Sequence, residues 1–290
     1  MSVQSIIGLA FPASIFLAVL AVGMRVAPAD LRYLLSRPSR LFRSLLAMNV
    51  LAPVIAVLVC KMFSLHPAVI VALVTLAVAP VGALFSQAML PLVAPGDAAY
   101  ARGLFFASIV LSVVLTPLTV ELIQLIFGGE VHVNPLPVAE VVVSSVLLPL
   151  GIGLAIAQWW PAAMRWNSAI QTVSSIVLGV CSVALLVVVW SRLDLVIQEG
   201  TLTAIIMMTL LGLAVGHLLG GPGEDDRTVL AFATVSRHPG VAIVVASLMD
   251  QPLAPIGVLL AVIVSEIAVA PYELWRKRLR GTGHTTPGAR

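Results

Sequence analysis

The feature that most constrains the fold is an apolar segment interrupted at its centre. Residues 228–248 read TVLAFATVSRHPGVAIVVASL, which is long and apolar enough to cross a bilayer. Arg237-His238-Pro239-Gly240 lies in the middle of this segment. A charge and a missing backbone N–H are tolerated at that depth only where they are buried in protein or face a water-filled cavity. The segment is therefore predicted to be a broken membrane helix inside a larger bundle.

The composition of the chain indicates an all-α polytopic membrane protein. Of its 290 residues, 60% are hydrophobic and only 10% are charged, so the lipid bilayer is its expected surrounding. The net charge is +3. The basic residues cluster at the ends of apolar runs, as they do in membrane proteins, so nucleic-acid binding is not expected.

Nine apolar segments predict nine spans in a single transmembrane domain, residues 1–280. The predicted spans are residues 4–24, 44–63, 68–93 (broken), 98–127, 136–158, 168–190, 201–219, 228–248 (broken) and 253–275. Residues 281–290 are predicted to be a disordered tail.

The basic residues predict how these spans are oriented. Thirteen of the sixteen Lys and Arg residues lie in loops, at span ends or in the tail on one side, Lys61 and Arg192 lie on the other, and Arg237 lies within the membrane. Cytoplasmic loops are enriched in Lys and Arg. The N-terminus is therefore predicted outside and the C-terminus in the cytoplasm, in a cell membrane.

The third and eighth spans are both interrupted by proline and glycine, at Ala79-Pro80-Val81-Gly82 and at Pro239-Gly240. Each is followed by a span with a proline in its second half, Pro117 and Pro271. Because the two copies run in opposite directions, spans 1–4 and 6–9 are predicted to form an inverted repeat. Broken helices at matching positions of two halves are typical of secondary transporters, whose substrate site lies at the breaks. The alternative is that these prolines are ordinary kinks.

The sequence resembles the bile acid:sodium symporter family along nearly its whole length. The resemblance is carried by Gly23-Met24, by Pro28-Ala29-Asp30-Leu31 with Arg37-Pro38, and by the stretch from Pro80 to Asp97. It implies a mobile core domain with two crossing broken helices and a smaller panel domain formed here by spans 1, 5 and 6. It also implies transport of an organic anion by alternating access. Members usually have ten spans, so this chain is similar to a version without the first.

The chain departs from this family at the positions of the sodium ligands. Where the family has a glutamate, a Gln-Asn pair and hydroxyl residues, matching without gaps gives Ala233, Arg237, His238, Ala101 and Phe105. Only Ser86-Gln87 still resembles the family's Ser-Asn pair. Sodium needs several oxygen ligands, which alanine, phenylalanine and a guanidinium do not supply. The resemblance therefore implies a divergent member that does not use the family's sodium sites.

Two charged residues are predicted to lie at the same depth in the membrane. Arg237 and Glu266 are each ten residues from an interfacial arginine, so at 1.5 Å per residue both lie about 15 Å from the cytoplasmic surface. An unpaired charge there costs at least about 2.5 kcal/mol. One interpretation is a permanent ion pair that holds the core together. The other is that Arg237, helped by the N-termini of the half helices, attracts an anionic substrate for which Glu266 competes.

The predicted substrate-binding residues surround the two breaks. They are Arg237, His238 and Gly240 at the second break, Gly82, Ser86 and Gln87 at the first, and Glu266, Asn49, Ser112 and Thr116 on neighbouring spans. An ordinary histidine titrates near neutral pH, so His238 either couples protons or simply makes a hydrogen bond. Asn49, Ser112 and Thr116 have a second interpretation, in which they only make hydrogen bonds between helices.

The sequence thus predicts a secondary transporter of a small organic anion. A sodium-coupled organic anion symporter with a rebuilt site and a membrane sensor or scaffold without transport are the alternatives. An enzyme is not expected, and neither a cofactor nor a metal, because the chain has no H-E-x-x-H, no G-x-S-x-G and no Cys/His cluster.

Overall fold

The computed structural model describes residues 3–25, 28–82, 98–127, 135–249 and 251–283. Six described helices are long and apolar enough to cross a membrane, namely Pro38–Met62, Ala99–Phe127, Leu136–Trp159, Pro161–Leu185, Thr201–Leu219 and Ala254–Leu279. Leu9–Arg25 and Pro67–Val78 are shorter apolar helices. The prediction of an all-α polytopic membrane protein is confirmed. The number of spans, nine, stays a prediction.

The described α-helices are numbered in chain order. They are α1 (Val3–Arg25), α2 (Pro28–Leu35), α3 (Pro38–Leu45, continued by Leu46–Leu51 and Ala52–Met62), α4 (Pro67–Val78), α5 (Ala98–Phe127) and α6 (Pro135–Val142, continued by Val143–Leu147 and Leu148–Trp159). There follow α7 (Asn167–Val189), α8 (Leu193–Val196), α9 (Thr201–Leu219), α10 (Glu224–Val235), α11 (Pro239–Ser247) and α12 (Ala254–Gly283). The last helix thus extends past the predicted end of its span into the predicted tail, whose final residues lie outside the described part.

Each of the long helices α3 and α6 contains a π-helical turn, and each turn lies just ahead of a proline, Pro53 in α3 and Pro149 in α6. In α3 the backbone N–H of Ala52 donates to the carbonyl of Ala47, five residues back. The next residue is proline, which has no N–H to give. The carbonyl of Met48 would accept from Ala52 in an α-helix or from residue 53 in a π-helix. Ala52 donates elsewhere and Pro53 has no N–H, so neither residue donates to it.

The helices pack in two groups. In the first, α1 lies against both α6 and α7, and Phe11, Ile15, Leu178 and Cys181 form a small apolar cluster between α1 and α7. In the second, α4 packs against α3, α11 and α12, while α9 packs against α10 and α12. Contacts of α6 with α5 and α11 join the two groups.

Pairs of ionised side chains tie the helix ends together on the side that is predicted to be cytoplasmic. Arg102 on α5 donates to both carboxylate oxygens of Asp30 on α2, at 2.9 Å each. Arg40 on α3 pairs with Asp226 on α10 at 2.9 Å. Arg276 on α12 donates to Glu224, and this hydrogen bond lowers the pKa of the Glu224 carboxyl. Asp30 belongs to the segment that carries the family resemblance, so part of that segment has a structural role.

The first group is held by glycines at a close helix crossing. A Cβ on Gly153 of α6 would lie 2.3 Å from the carbonyl oxygen of Leu20 on α1, and one on Gly23 would lie 2.5 Å from the carbonyl oxygen of Leu150. Small residues let membrane helices approach at backbone distance. Gly151, on the same helix, has nothing within 4 Å of an added Cβ.

We expect Gly153→Ala to lower the melting temperature of the purified protein, because the new methyl group meets backbone that has no rotamer to change. Gly151→Ala is the matched control: its methyl group enters open space and gains up to about 1 kcal/mol of helix propensity. Thermal unfolding of both variants in detergent measures the difference. Equal melting temperatures would show that the α1–α6 crossing is looser than this geometry.

Candidate functional site at the two helix breaks

The two non-helical segments between α4 and residue 82, and between α10 and α11, lie against each other. The N–H of Gly82 donates to the carbonyl of Ser236 at 2.9 Å, and the N–H of His238 donates to the carbonyl of Pro80 at 2.8 Å. These bonds make an isolated antiparallel bridge. Non-helical backbone inside a membrane must be satisfied by protein or water, and here each break supplies partners for the other.

A glycine at each break allows a neighbouring segment to lie close to its backbone. A Cβ on Gly82 would lie 3.1 Å from the carbonyl oxygen of Arg237, which is tight for two paired segments. A Cβ on Gly240, in the first turn of α11, would lie 2.0 Å from Cδ1 of Ile15 on α1. The start of α11 therefore touches the first helix group directly.

The guanidinium of Arg237 is the centre of this arrangement. Its Nε donates to the carbonyl of Thr234 at 3.0 Å, its Nη1 donates to the carbonyl of Ala79 at 3.0 Å, and its Nη2 donates to the carbonyl of Met48. The side chain thus links the end of α10, the end of α4 and the π-helical turn of α3. The Met48 carbonyl is the one that Pro53 leaves without a donor in its own helix.

This position favours a positive charge for a clear physical reason. The last carbonyls of a helix lack intrahelical partners and carry the negative end of the helix dipole. Two such ends, those of α4 and α10, meet at Arg237, which is only 8% exposed. Hydrogen bonds to a charged group each contribute roughly 1.5–3 kcal/mol. The guanidinium is therefore compensated by backbone dipoles.

An ion pair between Arg237 and Glu266, one of the two interpretations offered by the sequence, is not formed, so that interpretation is wrong. Both residues are described, and no ion pair joins them. Equal depth on two helices does not fix the direction in which each side chain points, and the carbonyls near Arg237 satisfy its charge instead. Glu266 on α12 is exposed and makes no hydrogen bond or ion pair with any described residue.

Hydroxyl groups on α5 support the first break. Thr116 donates to the carbonyl of Val78, the last residue of α4, at 2.9 Å. Ser108 accepts the N–H of Val81 at 3.0 Å. Ser112 is buried and donates to the carbonyl of Ile109 within its own helix at 2.7 Å. Ser108 was not predicted as a site residue, although it is a hydroxyl two helical turns from Thr116 on the same span.

Two other predicted residues have buried polar atoms without a partner among the described residues. His238 is 3% exposed, and neither ring nitrogen has a hydrogen-bond partner. Asn49 lies beside Met48 on the π-helical turn, and its Nδ2 is buried and unpartnered. Buried polar groups are nearly always hydrogen-bonded, so such atoms call for an explanation. Ser86 and Gln87 lie outside the described residues.

Two cavities meet at the breaks. The larger, here called the interface cavity, measures about 300 Å³ and lies between the first helix group and the breaks. Ser175 and Ser182 of α7 line it on one side and Gly82, Arg237, His238 and Glu266 on the other. The smaller, here called the core cavity, measures about 50 Å³ and lies among α3, α4, α9, α10 and α12. Arg237 and Glu266 line both. Small-molecule sites begin at about 300 Å³.

The structure thus brings together four of the predicted residues around one cavity, namely Gly82, Arg237, His238 and Glu266. Gly240 lies in the first turn of α11, just after the second break, and Thr116 supports the first break. Asn49 follows Met48, whose carbonyl accepts from Arg237, and Ser112 bonds within its own helix. The two serines of α7 were not predicted, because nothing in their apolar helix distinguishes them from other serines. Among the described residues, no group of three His, Cys, Asp or Glu residues is placed to hold a metal ion.

Comparison with known proteins agrees with the resemblance seen in the sequence. No curated protein sequence matches the chain. A family model described as the sodium bile acid symporter family matches residues 12–199, which is well over half of the chain. The matched region includes α4 and ends before α10. The chain belongs to the sodium bile acid symporter family, a family of membrane transporters.

Proposed function

We propose that this protein is a secondary transporter that moves a small organic anion across a cell membrane without using the family's sodium sites. The observation that carries the proposal is the guanidinium of Arg237, held by carbonyls from three helices at the meeting point of the two breaks. The interface cavity, which Arg237 lines, is the proposed substrate site.

The proposal about sodium rests on the chemistry of the carbonyl cluster. Backbone carbonyls at helix C-terminal ends are the ligands that broken-helix transporters offer to coupling cations. In this chain the carbonyls of Ala79, Thr234 and Met48 already accept from a covalently attached cation. A guanidinium stays protonated at all physiological pH values and does not dissociate. A free cation at that position would meet both a filled ligand set and a like charge.

The proposal about an anion rests on the donors that remain. A guanidinium has five N–H groups, and three of those of Arg237 are used by the carbonyls. The others, together with the positive charge and the start of α11 beside His238, favour an anionic group in the interface cavity. Apolar side chains line much of the rest, among them Ile15, Ala18 and Leu178. An anion with an apolar body fits such a site.

The packing supports transport by alternating access of two groups of helices, with the first helix group as the panel and the second as the core. The interface cavity lies between them, so relative motion of the groups would change which side of the membrane it opens to. The inverted repeat, with the N-terminus outside, is part of this proposal.

We expect uptake of taurocholate, a bile-acid sulfonate, into proteoliposomes to be the same with sodium or potassium outside at equal ionic strength. The reason is that the fixed guanidinium supplies the positive charge that a sodium ion would bring. Protein-free liposomes give the leak. Loss of uptake on replacing sodium would contradict the proposal and favour a sodium-coupled symporter, whereas binding without uptake would favour a sensor.

We also expect Arg237→Met to abolish taurocholate binding and to lower the melting temperature, because the anion loses its counter-charge and three carbonyls lose their donor. Arg237→Lys keeps the charge, so it should retain part of the binding, but one ammonium group cannot span three helices and the melting temperature should still fall. Arg192→Met removes an exposed arginine far from the breaks in sequence and serves as the control.

Calorimetric binding and thermal unfolding measured on the three variants separate two roles of Arg237. If Arg237→Met melts earlier yet binds taurocholate like the unchanged protein, the guanidinium only ties the helices together and the substrate assignment is wrong.

A further inference from the structure

We infer that Glu266 is a proton-binding site through which the protein couples anion transport to protons. This inference rests on the proposed function, since it concerns the same cavity and gives it a coupling ion. It starts from a residue that the anion site does not otherwise explain. Glu266 lies within α12, is exposed, and lines both the interface cavity and the core cavity.

The first step is that no cation of the described protein neutralises this carboxylate. Arg237 lines the same cavities, but its nitrogens donate to the carbonyls of Thr234, Ala79 and Met48. On α12 itself, Arg276 pairs with Glu224 and Lys277 pairs with Glu273. A carboxylate within a membrane span is disfavoured unless it is paired, hydrated or protonated. With no fixed cation paired to it, Glu266 is left to water in the two cavities and to a mobile cation, of which the smallest is a proton.

The second step concerns the other acidic, basic and histidine side chains on α12 and on the elements in contact with it. They are Asp194 on α8, His217 on α9, Glu224, Asp225, Asp226 and Arg227 on α10, and Arg237 and His238 after it, with Glu273, Arg276, Lys277 and Arg278 on α12 itself. Of these, Arg237, His238 and Glu273 line the interface cavity with Glu266. α1, α4, α7 and α11 add no charged side chain to its lining.

The third step is the choice between Glu266 and His238 as the proton carrier. His238 is 3% exposed and directly follows Arg237 in the chain, so a second positive charge there would be buried beside the first. Protonating Glu266 removes a charge instead of adding one. His238, whose ring nitrogens have no described partner, is better placed to hydrogen-bond the bound anion in its neutral form.

The last step links the proton to the anion. A negative Glu266 repels an anion that enters the interface cavity, whereas a protonated Glu266 does not. Binding of one therefore strengthens binding of the other by the same factor. On the loading side an O–H bond forms on the carboxylate as the anion binds, and on the releasing side that bond breaks and the proton leaves with the anion. Each cycle carries a proton with each anion, and no oxidant or further reactant is needed.

The test has two measurements on the purified full chain in nanodiscs, with Glu266→Gln and, as a matched control, Glu140→Gln, which removes a carboxylate on α6 outside both cavities. Infrared difference spectra recorded while the pH is stepped show the carbonyl stretch of a protonated carboxylic acid. We expect this band in the unchanged protein and in the control, and its loss in Glu266→Gln. A band that persists in Glu266→Gln overturns the assignment, whatever the protein transports.

The second measurement is calorimetric titration of taurocholate in two buffers of different protonation enthalpy. Taurocholate is chosen because its sulfonate stays ionised. We expect uptake of a proton with each anion, and affinity that falls by up to about tenfold per pH unit once Glu266 is ionised. In Glu266→Gln both effects should vanish. Binding without proton uptake overturns the coupling but leaves the anion site standing, whereas a Glu266 titration with no binding of taurocholate or any other sulfonate or carboxylate overturns the proposed function.

Discussion

The meeting of three backbone carbonyls on the guanidinium of Arg237 is the interaction on which the centre of this molecule depends. The helices α4 and α10 end at the same place, and each end leaves carbonyl groups without their helical partners. The Arg237 side chain donates to one carbonyl at each break and to a third in the π-helical turn of α3. Removing it would leave three buried acceptors and the negative ends of two helices facing one another.

The sequence predicted the features of this region that depend on neighbouring residues in the chain, such as the position of the second break. Pro239 has no N–H and clashes with a preceding helical turn. A break near it could therefore be foreseen, and α10 does end at Val235 with α11 starting at Pro239. The partners of Arg237 could not be foreseen, because every residue carries a carbonyl and only the packing of distant segments selects one. The interpretation in which Glu266 pairs with Arg237 rested on depth alone, which says nothing about which way a side chain faces.

The arrangement has a consequence for energy coupling in a family named for sodium symport. A sodium ion at a helix break binds and leaves, and its gradient can then drive transport. A guanidinium in that position is permanent, so it can stabilise the breaks and attract an anion but cannot carry energy. In this account the ion that moves is bound elsewhere, at the carboxylate of Glu266, and the fixed and mobile charges occupy neighbouring positions on the same two cavities.

The most direct test of the central claim is a density map of the protein from electron cryomicroscopy, collected in lipid nanodiscs with sodium as the main cation. The account predicts continuous side-chain density for Arg237 reaching the carbonyls of Met48, Ala79 and Thr234. A separate ion peak among these carbonyls, with the Arg237 side chain turned away from them, would contradict it.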